Sequence, residues 1–149
     1  VIATGLAGGR SAVTPERVAI NLRDARIPDN AGKRPVDEPV IAGGPDAYFS
    51  GLPVKAITHA VRAAGVDAEL SQSAGTFVCN EVFYTLMHAA AEGAVARAGF
   101  IHVPWSTEHT RDPRLPSLPL ASLSRALTVA VCTALDVGAD RLFPGGTLS

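Results

Sequence analysis

Cysteine is scarce in this chain: only Cys79 and Cys132 occur among its 149 residues. They lie too far apart for a metal-ligand spacing and are too few for a disulfide framework, so no metal site is expected, and a reducing, cytoplasmic setting is. Charge is also sparse, with 18% charged residues and a formal net charge of −1. Its lysines and arginines are scattered, with no run of five, so the sequence offers no electrostatic footprint for nucleic acid or a membrane surface. Long apolar runs are missing too. ALTVAVCTAL, residues 126–135, is the longest candidate. It falls well short of the ~20 residues of a bilayer span and reads as a buried helix. The opening VIATGLAGGR has no basic stretch ahead of an apolar core, no small-residue cleavage site and no initiator Met. It reads as a strand entered partway, so the chain is expected to be a fragment or a processed form.

What is present is a 47% apolar sequence, enough for one α/β domain over residues 1–149 with a real core. Residues 1–4 read as a strand end and Gly5 to Gly9 as a tight turn. Thr14-Pro15-Glu16 reads as a helix start, with a capping hydroxyl, a proline at the first helical position and an acid at the positive end of the dipole. Val18, Leu22 and Ala25 follow at helical spacing, and Pro28 ends that segment. Residues 31–52, rich in Gly, Pro and Asp, predict a long surface loop. Pro53 opens a second helix with Val54, Ile57, Val61 and Ala64 on its inner face and Gly65 as its stop. A short strand is expected over 68–71 and a turn over 73–76. A third helix runs from Cys79 to about Glu92, burying Val82, Phe83, Leu86, Ala89 and Ala90. Phe100 to Val103 is a strand closed by Pro104, and residues 106–119 form a loop or lid. The last helix runs from Leu120 to Val137 with Leu120, Leu123, Leu127, Val131 and Ala134 inward. Helices alternating with short apolar strands predict a single-domain α/β/α sandwich around a twisted, mostly parallel central sheet.

Three groups stand out chemically. Cys79, in SAGTFVCNEVFY, sits where a turn passes into a helix. Unpaired N–H groups and the dipole there favour a thiolate. Taken alone it reads as a small buried hydrophobe, as does Cys132 among Val and Ala. A thiol nucleophile needs a base. Of the four histidines, His59 reads as exposed, His88 as buried or capping, and His109 falls in the Pro-rich loop. His102 stands at the C-terminal end of the apolar strand GFIHVP, the end where sites form in open parallel sheets. Alone, it reads as a core histidine. Glu16 follows a Gly-rich turn and suits an orienting carboxylate, although a lone Glu at a helix start reads as dipole stabilisation. The turn itself, GLAGGR, is neither a G-x-G-x-x-G fingerprint nor a P-loop, which leaves a nucleotide site with little support.

The stretches GLAGGR…ERVAIN, RIPDN, AYFSGLP, SAGTFVCN…FY…LMH and GFIHVP, in that order, resemble the pyrrolidone carboxyl peptidase (pyroglutamyl peptidase I) family of cysteine peptidases over nearly the whole chain. The resemblance implies removal of N-terminal pyroglutamate from peptides. Cys79 would be the nucleophile, His102 the base and Glu16 the residue orienting it. It implies an apolar ring pocket with Phe77, Val78 and Ile27, Arg26 beside it, no cofactor, and a cytoplasmic homo-oligomer, often a tetramer. The family also carries an N-terminal strand and a GFEPFGG-type loop that this chain does not contain, and Leu6 stands where some members have Gln or Glu. The alternative expectation is therefore a truncated or degenerate member acting as a non-catalytic binding or assembly subunit.

Overall fold

The structure is a computed structural model, and it describes residues 1–145, so the last four positions of the expected 1–149 domain lie outside the described residues. Among the described residues, no helix is long and apolar enough to cross a membrane. The central sheet is built on β5 (Gly99–Val103), flanked by β1 (Ile2–Leu6) and β2 (Thr14–Pro15) in the order β1-β5-β2. β1 pairs with β5 in parallel over five positions, from Ile2↔Gly99 to Leu6↔Val103, while β2 pairs antiparallel at two. Parallel bridges Val13↔Ala68 and Glu16↔Ser71 continue the pairing beyond β2, so parallel neighbours predominate.

Alternation along β5 divides the core. Ile101, and Val103 beside it, face a cluster with Val54, Ile57 and Val61 of α1 (Val54–Ala63) and Leu123, Ala126 and Ala130 of α3 (Leu120–Asp136). Phe100 faces the opposite cluster, with Phe83, Tyr84 and Met87 of α2 (Val78–Ala91). Helices thus cover both faces, as a sheet with apolar residues on both sides requires.

Several local expectations are corrected. Residues 14–25 are not helical. They run extended through β2 and β3 (Val18–Ile20), which pairs antiparallel with β4 (Ala47–Phe49), a strand inside the expected 31–52 loop. The fixed φ of Pro15 suits a first helical turn and an extended segment equally. The deciding factor is tertiary: Glu16 N–H donates to Phe100 O, and Pro15 O accepts from Ser71 N–H. The segment 106–119 contains β7 (Ser117–Leu118), paired with β6 (Trp105–Ser106). On α2, Val82 points outward at 45% exposure. On α3, Leu120 and Val131 are exposed as well, and the buried line is Leu123, Ala126, Ala130 and Ala134, where the three alanines let α1 approach closely. Cys132 is exposed rather than packed in a core.

Candidate active site

The register of β5 places the site. Gly5 of β1 and Thr14 of β2 are the cross-strand partners of His102 on either side. Directly paired residues share a face of the sheet, here the face covered by α2. Glu16 lies two residues beyond Thr14 and returns to that same face. His102 and Glu16 are both buried, and Glu16 is fully so. His102 Nδ1 lies 2.7 Å from Glu16 Oε1, which leaves Nε2 as the nitrogen for a reacting group. The edge of the Phe100 ring packs against the imidazole with centroids 4.9 Å apart, fixing its plane.

Cys79 arrives from the other layer. Gly75, at φ +82, takes a left-handed conformation open to glycine at little strain. The chain around it is tied to the RIPDN approach by Asp24 N–H to Thr76 O and by Thr76 Oγ1 to Asp24 O, both at 2.8 Å. Phe77 is the N-cap of α2, and the first helical bond runs from Glu81 N–H to Phe77 O. Cys79 therefore stands in the first turn, among N–H groups that precede the helical ladder. Its Sγ lies over Gly5, where a Cβ would stand 2.9 Å from the sulfur. Because Gly5 is the cross-strand neighbour of His102, the missing side chain is what brings the thiol beside the imidazole. Burial works against the imidazolium, but hydrogen bonds to Cys79 and Glu16, and the charges of both, outweigh it and hold the His102 pKa above its ordinary value.

A cavity of about 610 Å³ opens over Cys79 and His102, with Phe77, Ile27, Arg26 and Asp24 in its walls. Of the four expected pocket residues, Phe77, Ile27 and Arg26 line this cavity. Val78 opens instead onto two adjoining grooves, which Phe77 also borders. Glu16 is thus brought to His102 not from a helix start but from an extended segment behind β2.

Two residues of the site carry no prominence in the sequence. Arg10, inside GLAGGR, donates from Nη1 to Glu16 Oε1 at 2.6 Å and to Thr14 Oγ1 at 2.5 Å, and from Nη2 to Ser73 O at 3.1 Å. Its position within a Gly-rich turn draws attention to phosphate binding, whereas the turn serves to return a guanidinium to Glu16. Asn80, next to Cys79, is fully buried. Its side chain accepts from Ile20 N–H and donates to the carbonyls of Ile20 and Leu22, which pins the first turn of α2 to β3. Its only sequence signal is its place directly after Cys79.

Comparison with known proteins bears on the family and the fold. The family model described as pyroglutamyl peptidase matches residues 1–137. A pyrrolidone-carboxylate peptidase of Vibrio vulnificus is 53% identical over 148 residues, covering 99% of this chain and 69% of that protein. The Cupriavidus taiwanensis protein of the same name is 54% identical over 151 residues, covering 99% and 70%. Among solved structures, pyroglutamyl peptidase I from Bacillus amyloliquefaciens superposes with a TM-score of 0.91 at 46% identity, over 96% of this chain and 69% of that one. Pyrrolidone carboxyl peptidase from Thermococcus litoralis gives 0.89 at 40% identity, over 96% and 70%. These relatives are named as peptidases, not as binding or assembly subunits. By the extent of the family match and the identity to its members, the chain belongs to the pyroglutamyl peptidase family.

Proposed function

We propose that the protein is a cysteine peptidase that removes N-terminal pyroglutamate from peptides, with Cys79 as nucleophile, His102 as general base and acid, and Glu16 as the group that orients His102. The observation carrying this reading is the buried His102 Nδ1 to Glu16 Oε1 contact of 2.7 Å, on the sheet face that meets Cys79. With Nδ1–H donated to the carboxylate, Nε2 carries the lone pair that takes the thiol proton. The thiolate attacks the carbonyl carbon joining pyroglutamate to the next residue. N–H groups in the first turn of α2 stabilise the oxyanion. As the C–N bond breaks, His102 returns the proton to the leaving amine. Water then hydrolyses the thioester, and His102 serves again as base.

Pyroglutamate is an uncharged lactam, so recognition rests on an apolar wall and hydrogen bonds to the ring N–H and C=O. Phe77 and Ile27 supply the wall in this reading, and Arg26 stands at its rim. Residues 1–149 act as one domain in a cytoplasmic homo-oligomer. That part of the reading is supported by the family resemblance and by apolar side chains left in solvent, such as Phe49 at 72% and Leu135 at 80% exposure. Light scattering on the purified protein tests the assembly. For the chemistry, a pyroglutamyl-amide reporter should be cleaved by the wild type and left intact by a folded Cys79→Ser variant. Undiminished cleavage by that variant rules out Cys79 as nucleophile.

A further inference from the structure

We infer that Arg10 is a positioning residue of the catalytic machinery, acting on His102 through Glu16; the inference rests on the Cys79–His102–Glu16 reading above and extends it by a fourth member. Glu16 is fully buried, and its two oxygens are unequally served. Oε1 takes both His102 Nδ1, at 2.7 Å, and Arg10 Nη1, at 2.6 Å. Oε2 is buried and has no hydrogen-bond partner among the described residues. A buried carboxylate is costly unless it is paired and hydrogen-bonded. Among the described residues, the polar compensation of Glu16 therefore comes from one imidazole and one guanidinium. While His102 is neutral and waiting to accept a proton, Arg10 is the only cation among them in contact with the carboxylate.

The guanidinium is itself fixed. Its bonds to Thr14 Oγ1 and Ser73 O tie it to the strand beside His102 and to the turn that leads into Cys79. Arg10 thus spans the two halves of the site, β-sheet and α2 approach, and sets the position of Oε1 relative to both. A planar guanidinium, with Nη1 on Glu16 and Thr14 and Nη2 on Ser73 O, does this in a way a point charge does not. Arg10 is absent from the walls of the Cys79 cavity. Its effect should therefore fall on the chemical step and not on binding of the pyroglutamyl ring.

The charge has a sign that can be tested. Cys79 from α2 and His102 from β5 share the cavity with Asp24 and Arg26, Glu16 lies against Nδ1 of His102, and Glu69 stands outside Arg10. A positive charge in such a cluster favours the deprotonated form of every titrating member. Removing it moves the whole activity profile to higher pH, whichever group governs which limb.

The test compares wild type, Arg10→Gln, Arg10→Lys and Glu16→Gln, alone and combined, with a pyroglutamyl-amide reporter across pH. Arg10→Gln should lower kcat by about tenfold or more, leave KM within about twofold, and displace the profile upward by about half a pH unit or more. Arg10→Lys should restore the position of the profile, and only part of kcat. On the Glu16→Gln background, Arg10→Gln should add little. Iodoacetamide alkylation of Cys79 against pH, followed by intact mass in a Cys132→Ser background, reports the same displacement where turnover is too slow to measure. Unmoved rate and alkylation profiles in folded Arg10→Gln overturn the inference, as does an equal loss on both backgrounds. Wild-type activity in Glu16→Gln overturns the underlying reading of Glu16, a result distinguishable from failure of the Arg10 step alone.

Discussion

Cys79 Sγ rests against the bare face of Gly5: a Cβ there would stand 2.9 Å from the sulfur and 2.8 Å from Phe100 Cζ. Both distances are shorter than nonbonded atoms tolerate, and both neighbours belong to the site, because Phe100 packs edge-on against His102. Gly5→Ala therefore cannot be absorbed without moving the thiol or the imidazole. Overpacking of this kind destabilises by about 1–3 kcal/mol. The expected outcome is a folded variant with a modestly lowered Tm and a kcat reduced by about a hundredfold, since displacements near an ångström disturb attack geometry that strongly. Wild-type kcat in folded Gly5→Ala would show that the thiol does not depend on this close approach.

His102 makes stability depend on pH in a fixed direction. Its folded pKa is raised, despite burial, by Cys79 and Glu16. A group raised in this way binds its proton more tightly in the folded chain than in the unfolded one. Its contribution is fully present below the unfolded value of about 6.5 and is lost as pH rises through the higher folded value. Replacing His102 by Asn should therefore lower Tm more at pH 5.5 than at pH 8.5, as measured by calorimetry at matched ionic strength. A gap that widens toward alkaline pH would contradict the assignment.

Much of this arrangement is legible in the sequence, and the parts that are not have physical causes. The bounds of α2, α3 and β5 agree with the sequence pattern to within a residue or two, because turn residues, prolines and apolar runs concur there. The inner face of α3 does not, since apolar residues surround that helix and only packing against α1 selects Ala126 and Ala130 over Leu120 and Val131. Thr14-Pro15-Glu16 satisfies the local rules of a helix start, and its extended form is imposed by β5 and by Ser71, partners distant in sequence. Glu16 is thus identifiable from the sequence as a residue type but not by its element. Arg10 has no local signal at all, because its role is defined by what the fold brings to it: Glu16, Thr14 and Ser73.

Ile27 separates binding from folding. It lines the Cys79 cavity yet is 63% exposed. Truncating so exposed a side chain should change stability by no more than about 0.5 kcal/mol. Cutting back an apolar wall of a ring pocket weakens transition-state binding by about 1–3 kcal/mol. Ile27→Ala should therefore raise KM by about tenfold with Tm unchanged. If KM for the pyroglutamyl reporter stays at its wild-type value, the ring does not rest on Ile27, and the apolar wall falls to Phe77.

Asn80 tests the opposite combination, a residue that touches no substrate and yet sets the site. Its side chain is fully buried and holds Ile20 N–H at 3.0 Å, Ile20 O at 2.8 Å and Leu22 O at 3.0 Å. Asn80→Ala removes all three bonds and leaves a backbone donor and two acceptors short of partners beneath the helix start. A polar group left unsatisfied on burial costs about 1–3 kcal/mol, so a decrease of about 3 kcal/mol in stability is expected in denaturant unfolding. Asn80→Asp keeps the acceptor for Ile20 N–H but sets a carboxylate against two carbonyls, and should be no better tolerated. In whatever fraction of Asn80→Ala remains folded, kcat should fall because Cys79 is carried on the same turn, while KM changes less. A variant as stable as the wild type would show that α2 is held against β3 by its apolar face alone.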